Sequence, residues 1–481
     1  MHSISNLRAG AGVALLALSV AACACAVGPD YSGPPAVASE PYFVRADKVS
    51  LNQPVTGPWW LSLNDPLLDH LVETALAQNS DIDAAVARLD QARAVARQDR
   101  AAGLPSLGGS AVHADAKLPA STLSGAGGDE DLHLRTYSLG LSASWEPDLF
   151  GRIKRTGEQG RARADAAEAS LDDVKVSLAA GVVVAYIDLR DQQTRLALAR
   201  QILELQTLRF ALVEQRRAAG TAPGQAVEAA RVDLEQARSD LTALQSDVEL
   251  SLNQLAVLTG QAPGALDAIL DRGAAVPLPP AEVAVGDPAA LLRRRPDVRQ
   301  AERSLAAATA GIGIAKSQYF PSVNMVGLLG VGGSQPGDVF RSADLSRIAL
   351  PVLSWRFLDF GATAAQVSQA RAGQAEAVAA YRSAVLSALE DAEGALSRYG
   401  RARQTYLSAD VAVQAGARTA DLVSQMRRSG AASAIDEIDA RHQLLGAEQA
   451  RSEARAAVTK TFAAVQKSLG LAWAPGEGPG A

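Results

Sequence analysis

The side chains of this 481-residue chain that could do chemistry are few, and they do not assemble into a catalytic set. None of the five histidines stands in an HExxH pattern, so the paired helical zinc ligands of a metalloprotease are missing. Gly311-Ile312-Gly313 lacks the rest of a dinucleotide fingerprint, and there is no phosphate loop. The two cysteines, Cys23 and Cys25, lie together near the start, so the rest of the chain offers no disulfide and no thiolate metal site. Two charged groups stand out. Arg293-Arg294-Arg295 precedes Pro296 and reads either as an anion-binding patch or as an ion-paired stretch opening a helix. Asp436, Glu437 and Asp439 follow Ser433; Ser433-Ala434-Ile435-Asp436 has the spacing of a capping box, and acids there suit the positive end of a helix. A net charge of −6, with arginines scattered among acids, argues against a nucleic-acid partner. No cofactor, no metal and no enzymatic activity are expected.

The cysteines close a leader. A short polar start with Arg8 precedes an apolar run over 9–20 and small residues up to Cys23. By length, 9–27 would also serve as a transmembrane helix. Val20-Ala21-Ala22-Cys23 instead is similar to the lipobox of bacterial lipoproteins, where cleavage leaves the cysteine as an acylated first residue. Cys23 is the expected lipid attachment and Cys25 the alternative. Ala24, rather than Asp, points to outer-membrane sorting. This assigns 1–22 to a signal peptide and 23–60 to an acylated, extended segment.

Most of the remaining chain is written twice. Residues 81–107 align without a gap on 297–323 at an offset of 216, with Ala85 on Ala301, Leu89 on Leu305 and Pro105 on Pro321. At an offset of 210, Trp145, Phe150 and Gly151 fall on Trp355, Phe360 and Gly361, and Arg217, Gly220 and Arg231 on Arg427, Gly430 and Arg441. Within a copy the period changes. Tyr137, Leu139, Leu141, Ala143 and Trp145 alternate with Ser138, Gly140, Ser142 and Ser144. Such alternation suits a membrane strand between lipid and a wet lumen, or an ordinary soluble sheet. Strands are predicted at about 106–118 and 134–146, then at 322–333 and 346–357 with weaker alternation. A helical stretch over 65–102 should break near 78–80. Leu171, Val174, Leu178, Val182, Ala185 and Leu189 then follow the 3/4 spacing of a coiled-coil seam. Helices are predicted over 152–219 and 225–259, and again over 362–428 and 435–469. A 68-residue helix spans roughly 100 Å. The first repeat is thus 61–270, the second 271–471, and 472–481 a flexible tail. Four strands cannot close a membrane barrel, since about eight is the minimum, and open edges are not tolerated in lipid. The expected fold class is mainly α with a membrane β-barrel portion. Each repeat is a β-hairpin plus a long coiled-coil α-hairpin. A trimer would form a twelve-stranded barrel continued by a periplasmic helical barrel.

LLRRRPDVRQAE at 291–302, AKSQYFPS at 315–322, WEPDLFGR at 145–152 and VGPDY at 27–31 together strongly resemble the outer-membrane factor family of tripartite efflux systems, the OprM/NodT branch related to TolC. The resemblance runs from the lipobox to about residue 471. It implies a lipid-anchored homotrimer in the outer membrane with a large periplasmic portion, and a mixed equatorial region built from the chain ends and 263–287. It further implies a periplasmic adaptor (membrane fusion protein), an inner-membrane pump of the resistance-nodulation-division (RND) type, and a passive gated conduit for drugs or other small molecules. Aligned from Gly430, it places an apolar gate ring at Ile435 and an acidic one at Asp439. Three converging carboxylates repel one another and attract cations. Asp436, Glu437 and Arg427 are further candidate gate residues. Met426 stands where the family usually has Tyr, so a Tyr-based latch is not expected, and 221–225 lacks the acidic helix start of the second copy. Trp145 and Trp355 read as interface-belt aromatics or as junction packing, and Asp129-Glu130-Asp131 as part of an extracellular loop. Other readings are a type I secretion exit duct, a non-pore periplasmic coiled-coil lipoprotein tether, and a lipid-anchored enzyme, which the absence of a catalytic set disfavours.

Overall fold

A computed structural model describes residues 26–37, 49–50, 57–118, 132–280, 283–284, 294–341, 343 and 345–470. The signal peptide, Cys23, Cys25, Asp129-Glu130-Asp131, Arg293 and the tail lie outside the described residues. In chain order the elements are β1 (Val49–Ser50), α1 (Pro66–Gln78), α2 (Ser80–Ala101), β2 (Ser106–Leu118), β3 (Leu132–Trp145), α3 (Arg152–Ala218), α4 (Gly224–Leu258), α5 (Asp267–Leu270), β4 (Val283–Ala284), α6 (Pro296–Ser317), β5 (Ser322–Gly333), β6 (Ser346–Ser354), α7 (Ala362–Arg428) and α8 (Ala434–Ser468). α3 and α7 each have 67 residues, and α4 and α8 each have 35, so the 210-residue offset holds to the residue in both long hairpins. No described helix is long and apolar enough to cross a membrane. The chain divides into two compact units.

The first unit comprises Met1–Pro35, Leu89–Ala166 and Ala301–Tyr381. Its centre is an antiparallel sheet in the order β2-β3-β5-β6. Opposed residues share a face, so the register defines both faces. Leu107, Leu139, Leu141, Met325, Leu329 and Leu353 share one, and Ser106, Ser110, Ser138, Ser142 and Ser144 the other. The second hairpin departs from this division. Val326, Leu328, Ile348, Leu350 and Val352 lie on the serine face, which is why its alternation is weak in sequence. β6 stops at Ser354, before the aromatic-rich stretch 355–360. Both tryptophans fasten strand ends: the Trp145 indole donates to the Gly103 carbonyl and the Trp355 indole to that of Tyr319, each at 3.1 Å.

The second unit comprises Ala36–Arg88, Ala167–Gln300 and Arg382–Ala481. Leu68 and Val72 of α1, Val182, Val183, Ile187 and Leu189 of α3, Leu255 of α4 and Leu270 are all buried in it. Trp59 packs edge-on against Trp60 and Phe462. Asp65 caps α1 by accepting from the Leu67 and Leu68 amides, and Pro66 takes the first helical position, where its missing N–H costs nothing. Asp65 also accepts the Tyr186 hydroxyl at 2.7 Å. Burial, with help from that carboxylate, pushes the Tyr186 phenol up to about 12. Asn79 marks the helix break. Its side-chain oxygen accepts from the Asp81 amide at 2.8 Å while its NH2 donates to the Leu258 carbonyl at 2.9 Å. β1 and β4 form a short parallel pair.

Polar ties join the long helices of this unit. Asp188 pairs with Lys460, Asp191 accepts from Ser452, and Arg195 meets Glu453. Arg295 resolves the arginine run: it is buried, grips Asp297 with two nitrogens, reaches Asp391, and donates to the carbonyls of Ala388 and Ser468. It opens a helix rather than offering a free cation, whereas Arg294 is exposed.

Candidate functional site

The two long helical hairpins end in turns of different chemistry. α3 leads through Gly220, in the left-handed region at φ 72°, to α4, whose first turn holds no acid. There Arg217 donates weakly to the Ala222 carbonyl. α7 leads through Gly430, at φ 78°, to α8. Ser433 caps α8: its hydroxyl accepts from the Asp436 amide at 3.2 Å, and Asp436 accepts from the Ser433 amide at 2.8 Å. That bond holds the Asp436 carboxyl below the usual range.

Glu437 is buried at 5% exposure. It is bonded to Arg427 across the turn and to Arg441 one helical turn on, at 2.7 Å. Arg427 first, then Arg441, holds its carboxyl below the ordinary value. Glu437 therefore ties the end of α7 to the start of α8. Ile435 is half-buried and the neighbouring Ile438 is buried.

Asp439 does not stand alone. Its carboxylate lies 3.3 Å from Nε of Arg209 on α3, and Arg209 is also bonded to Asp233 on α4. One guanidinium thus bridges acids from two other helices, each about half-exposed. Arg209 and Asp233 have no local motif to announce them. The signal lies in the duplication: Arg209, Asp233 and Asp439 fall on Thr419, Gln443 and Ala229, so all three break the repeat. Glu437 likewise falls on Val227. Chemically the arrangement is a set of ion pairs that joins α3, α4 and α8 through one guanidinium.

A second site fixes the segment that follows the cysteines. In the first unit, Arg155 is almost fully buried and donates to the carbonyls of Val27 and Gly28, both at 3.3 Å, and to Asp30 at 2.7 Å. Gly28 has φ 101°, and a Cβ there would lie 2.5 Å from the Cα of Gly313, so only glycine fits. The Tyr31 hydroxyl donates to Glu302, and burial pushes that phenol up to about 12. Among the described residues no group of histidines, cysteines or carboxylates is arranged to hold a metal ion.

The model of the family described as outer membrane efflux protein matches residues 71–261 and 288–471, one segment for each copy of the repeat. The chain is 31% identical to Nodulation protein T of Rhizobium leguminosarum bv. trifolii, over 94% of this chain and 95% of that protein. It is 30% identical to the pyoverdine export outer membrane protein OpmQ of Pseudomonas aeruginosa, covering 95% of each. The solved structure of the outer-membrane channel OprN is similar with a TM-score of 0.84 and 34% identity, over 93% of this chain and 99% of that one.

Proposed function

The chain belongs to the outer membrane efflux protein family, and from that premise we propose that three copies form a passive, gated conduit across the outer membrane. It is an outer-membrane efflux protein. The observation that carries the conduit is the sheet: four strands, apolar on one face and serine-lined on much of the other, with β2 and β6 at its edges. Unpaired edges are not tolerated in lipid, and twelve strands close where four cannot. The partners of this reading are a periplasmic adaptor and an inner-membrane pump of the RND type, which supplies the energy. The chain itself catalyses no reaction. Its cargo is a class of small organic molecules, in line with relatives named for pyoverdine export and for efflux. Cys23 carries the acyl anchor, and the clasp around Val27 and Gly28 holds the chain beside it. Four residues of extended chain reach at most about 14 Å, so the anchor stays close to Val27.

The gate is the second helical turn. Asp439 with Arg209 and Asp233, and Glu437 with Arg427 and Arg441, keep α8 drawn to α3, α4 and α7; Ile435 is the apolar member and Asp436 caps the helix. The test is the detergent-corrected molar mass by light scattering. Three chains per particle support the conduit. A stable monomer would contradict it and favour a periplasmic tether.

A further inference from the structure

A cleft opens at the end of the sheet, within the unit that carries it. Phe320 stands two residues before β5 begins at Ser322, and Val367 lies in the second turn of α7, which follows β6. Both line an open cleft of about 510 Å³, within the roughly 300–1,000 Å³ usual for small-ligand sites. Its walls are held in place. Phe320 stacks on Phe150 with ring centres 4.7 Å apart. The Tyr319 carbonyl accepts the Trp355 indole at 3.1 Å. Val367 is buried. Val27 and Gly28 complete the wall. The Val27 amide donates to the Phe150 carbonyl at 3.2 Å, its carbonyl accepts from Arg155, and Gly28 has no room for a side chain.

The lining is apolar and cationic. Tyr319, Phe320 and Val367 supply apolar surface, while Lys316, Arg371 and Ser368 supply donors. No acid lines the cleft, and neither Lys316 nor Arg371 is ion-paired among the described residues. Arg155, in the same unit, is by contrast met by Asp30 and Glu158. The first copy does not repeat the combination. By the repeat offsets Lys316 and Arg371 fall on Arg100 and Arg161, but Tyr319, Phe320 and Val367 fall on Gly103, Leu104 and Gly157, and Ser368 falls on Glu158. There the aromatic wall is gone and a carboxylate replaces the hydroxyl. A ligand that satisfies the second-copy lining is an anion with an apolar body.

Two observations give the depth of the cleft. Phe320 leads directly into β5, so the cleft lies where the strands of the conduit leave the lipid. Cys23 is four residues from Val27, at most about 14 Å of extended chain, and its acyl groups lie in the periplasmic leaflet of the outer membrane. Both place the cleft at the headgroups of that leaflet. We propose that it binds an anionic glycerophospholipid, with Lys316, Arg371 and Ser368 on the phosphate and Tyr319, Phe320 and Val367 against the glycerol and first methylenes. A guanidinium meets phosphate through two N–H groups, an ammonium as a point charge. A choline or ethanolamine head would bring a third cation to a lining without an acid, so a net negative lipid is preferred. The proposal rests on the conduit reading, which sets the depth, and adds a ligand site to it.

The test is native mass spectrometry of the acylated, detergent-purified protein titrated with phosphatidylglycerol or with phosphatidylcholine of the same chain length. Phosphatidylglycerol is expected to bind about tenfold more tightly. Lys316→Gln with Arg371→Gln should abolish that preference, and Ser368→Trp, which fills the cleft from an exposed position, should weaken phosphatidylglycerol binding by a similar factor. Arg100→Gln with Arg161→Gln removes the same charge from the first copy and should leave the preference unchanged. Glycerophosphate, which has the charge without the chains, should not displace the lipid at equal concentration. Equal affinity for both lipids, an equal loss in the first-copy variant, or displacement by glycerophosphate overturns the site. So does a wild-type protein that takes up neither lipid, as when its own acyl groups fill the cleft. Light scattering on the same sample separates the two readings: any of these results from a trimer overturns the lipid site alone, whereas a monomer overturns the conduit with it.

Discussion

Glu437 shows how single side chains set the helical turn. It is buried between Arg427 and Arg441, and its carboxyl titrates below the ordinary value. Unfolded, it would titrate near about 4.3. Between the two values the unfolded chain binds more protons, so stability rises with pH. The contribution is complete above the unfolded value and is lost as pH falls through the folded one. Acidification below about pH 4 is therefore expected to loosen 429–437 before 219–227, where Val227 takes the place of Glu437. Hydrogen exchange of the two turns measures this, and equal loosening would count against the tie. Arg427→Ala removes one of the two arginines paired with Glu437. Because Arg427 is half-exposed, the loss is about 1 kcal/mol per copy. The expected outcome is roughly fivefold faster hydrogen exchange over 429–437, and an unchanged rate would count against the tie. The acidic helix start was legible from Ser433 and its neighbours. Arg209 and Asp233 were not, because a pair between distant helices leaves no local pattern, only the break in the repeat.

The elements were more legible than the contacts between them. The helical tracts follow from uninterrupted 3/4 spacing, and Asn79 ends one helix and begins the next with a single side chain. The first hairpin declares itself by strict alternation. The second does not, because Val326, Leu328, Ile348, Leu350 and Val352 make its serine face apolar. Removing the cap with Ser433→Ala is expected to cost about 1 kcal/mol and to raise exchange at the start of α8 alone; no local change would mean the acids there suffice. At the clasp, Gly28→Ala forces a left-handed backbone and a collision with Gly313. The expected outcome is faster proteolysis between residues 26 and 37 with the helical content by circular dichroism unchanged. Proteolysis at the wild-type rate would show the segment is held by other means.

At the scale of the whole molecule, the duplicated chain supplies two strands and one long helical hairpin per copy, and the family supplies the setting in which they serve. In the proposed gate Glu437 pairs within the second copy, while Asp439 reaches Arg209 and, through it, Asp233 of the first, so the two turns differ in chemistry: the acids stand at the second and not at the first. The most direct measurement is single-channel current in a planar bilayer, comparing the wild-type protein with Arg209→Ala and Asp439→Ala. The expected result is small, cation-preferring events in the wild type, larger or more frequent ones when Arg209 is removed, and reduced cation preference when Asp439 is removed. A wild-type protein that inserts but passes no current, and stays silent in both variants, would contradict the conduit. Clear wild-type current unchanged by either substitution would move the gate away from this turn.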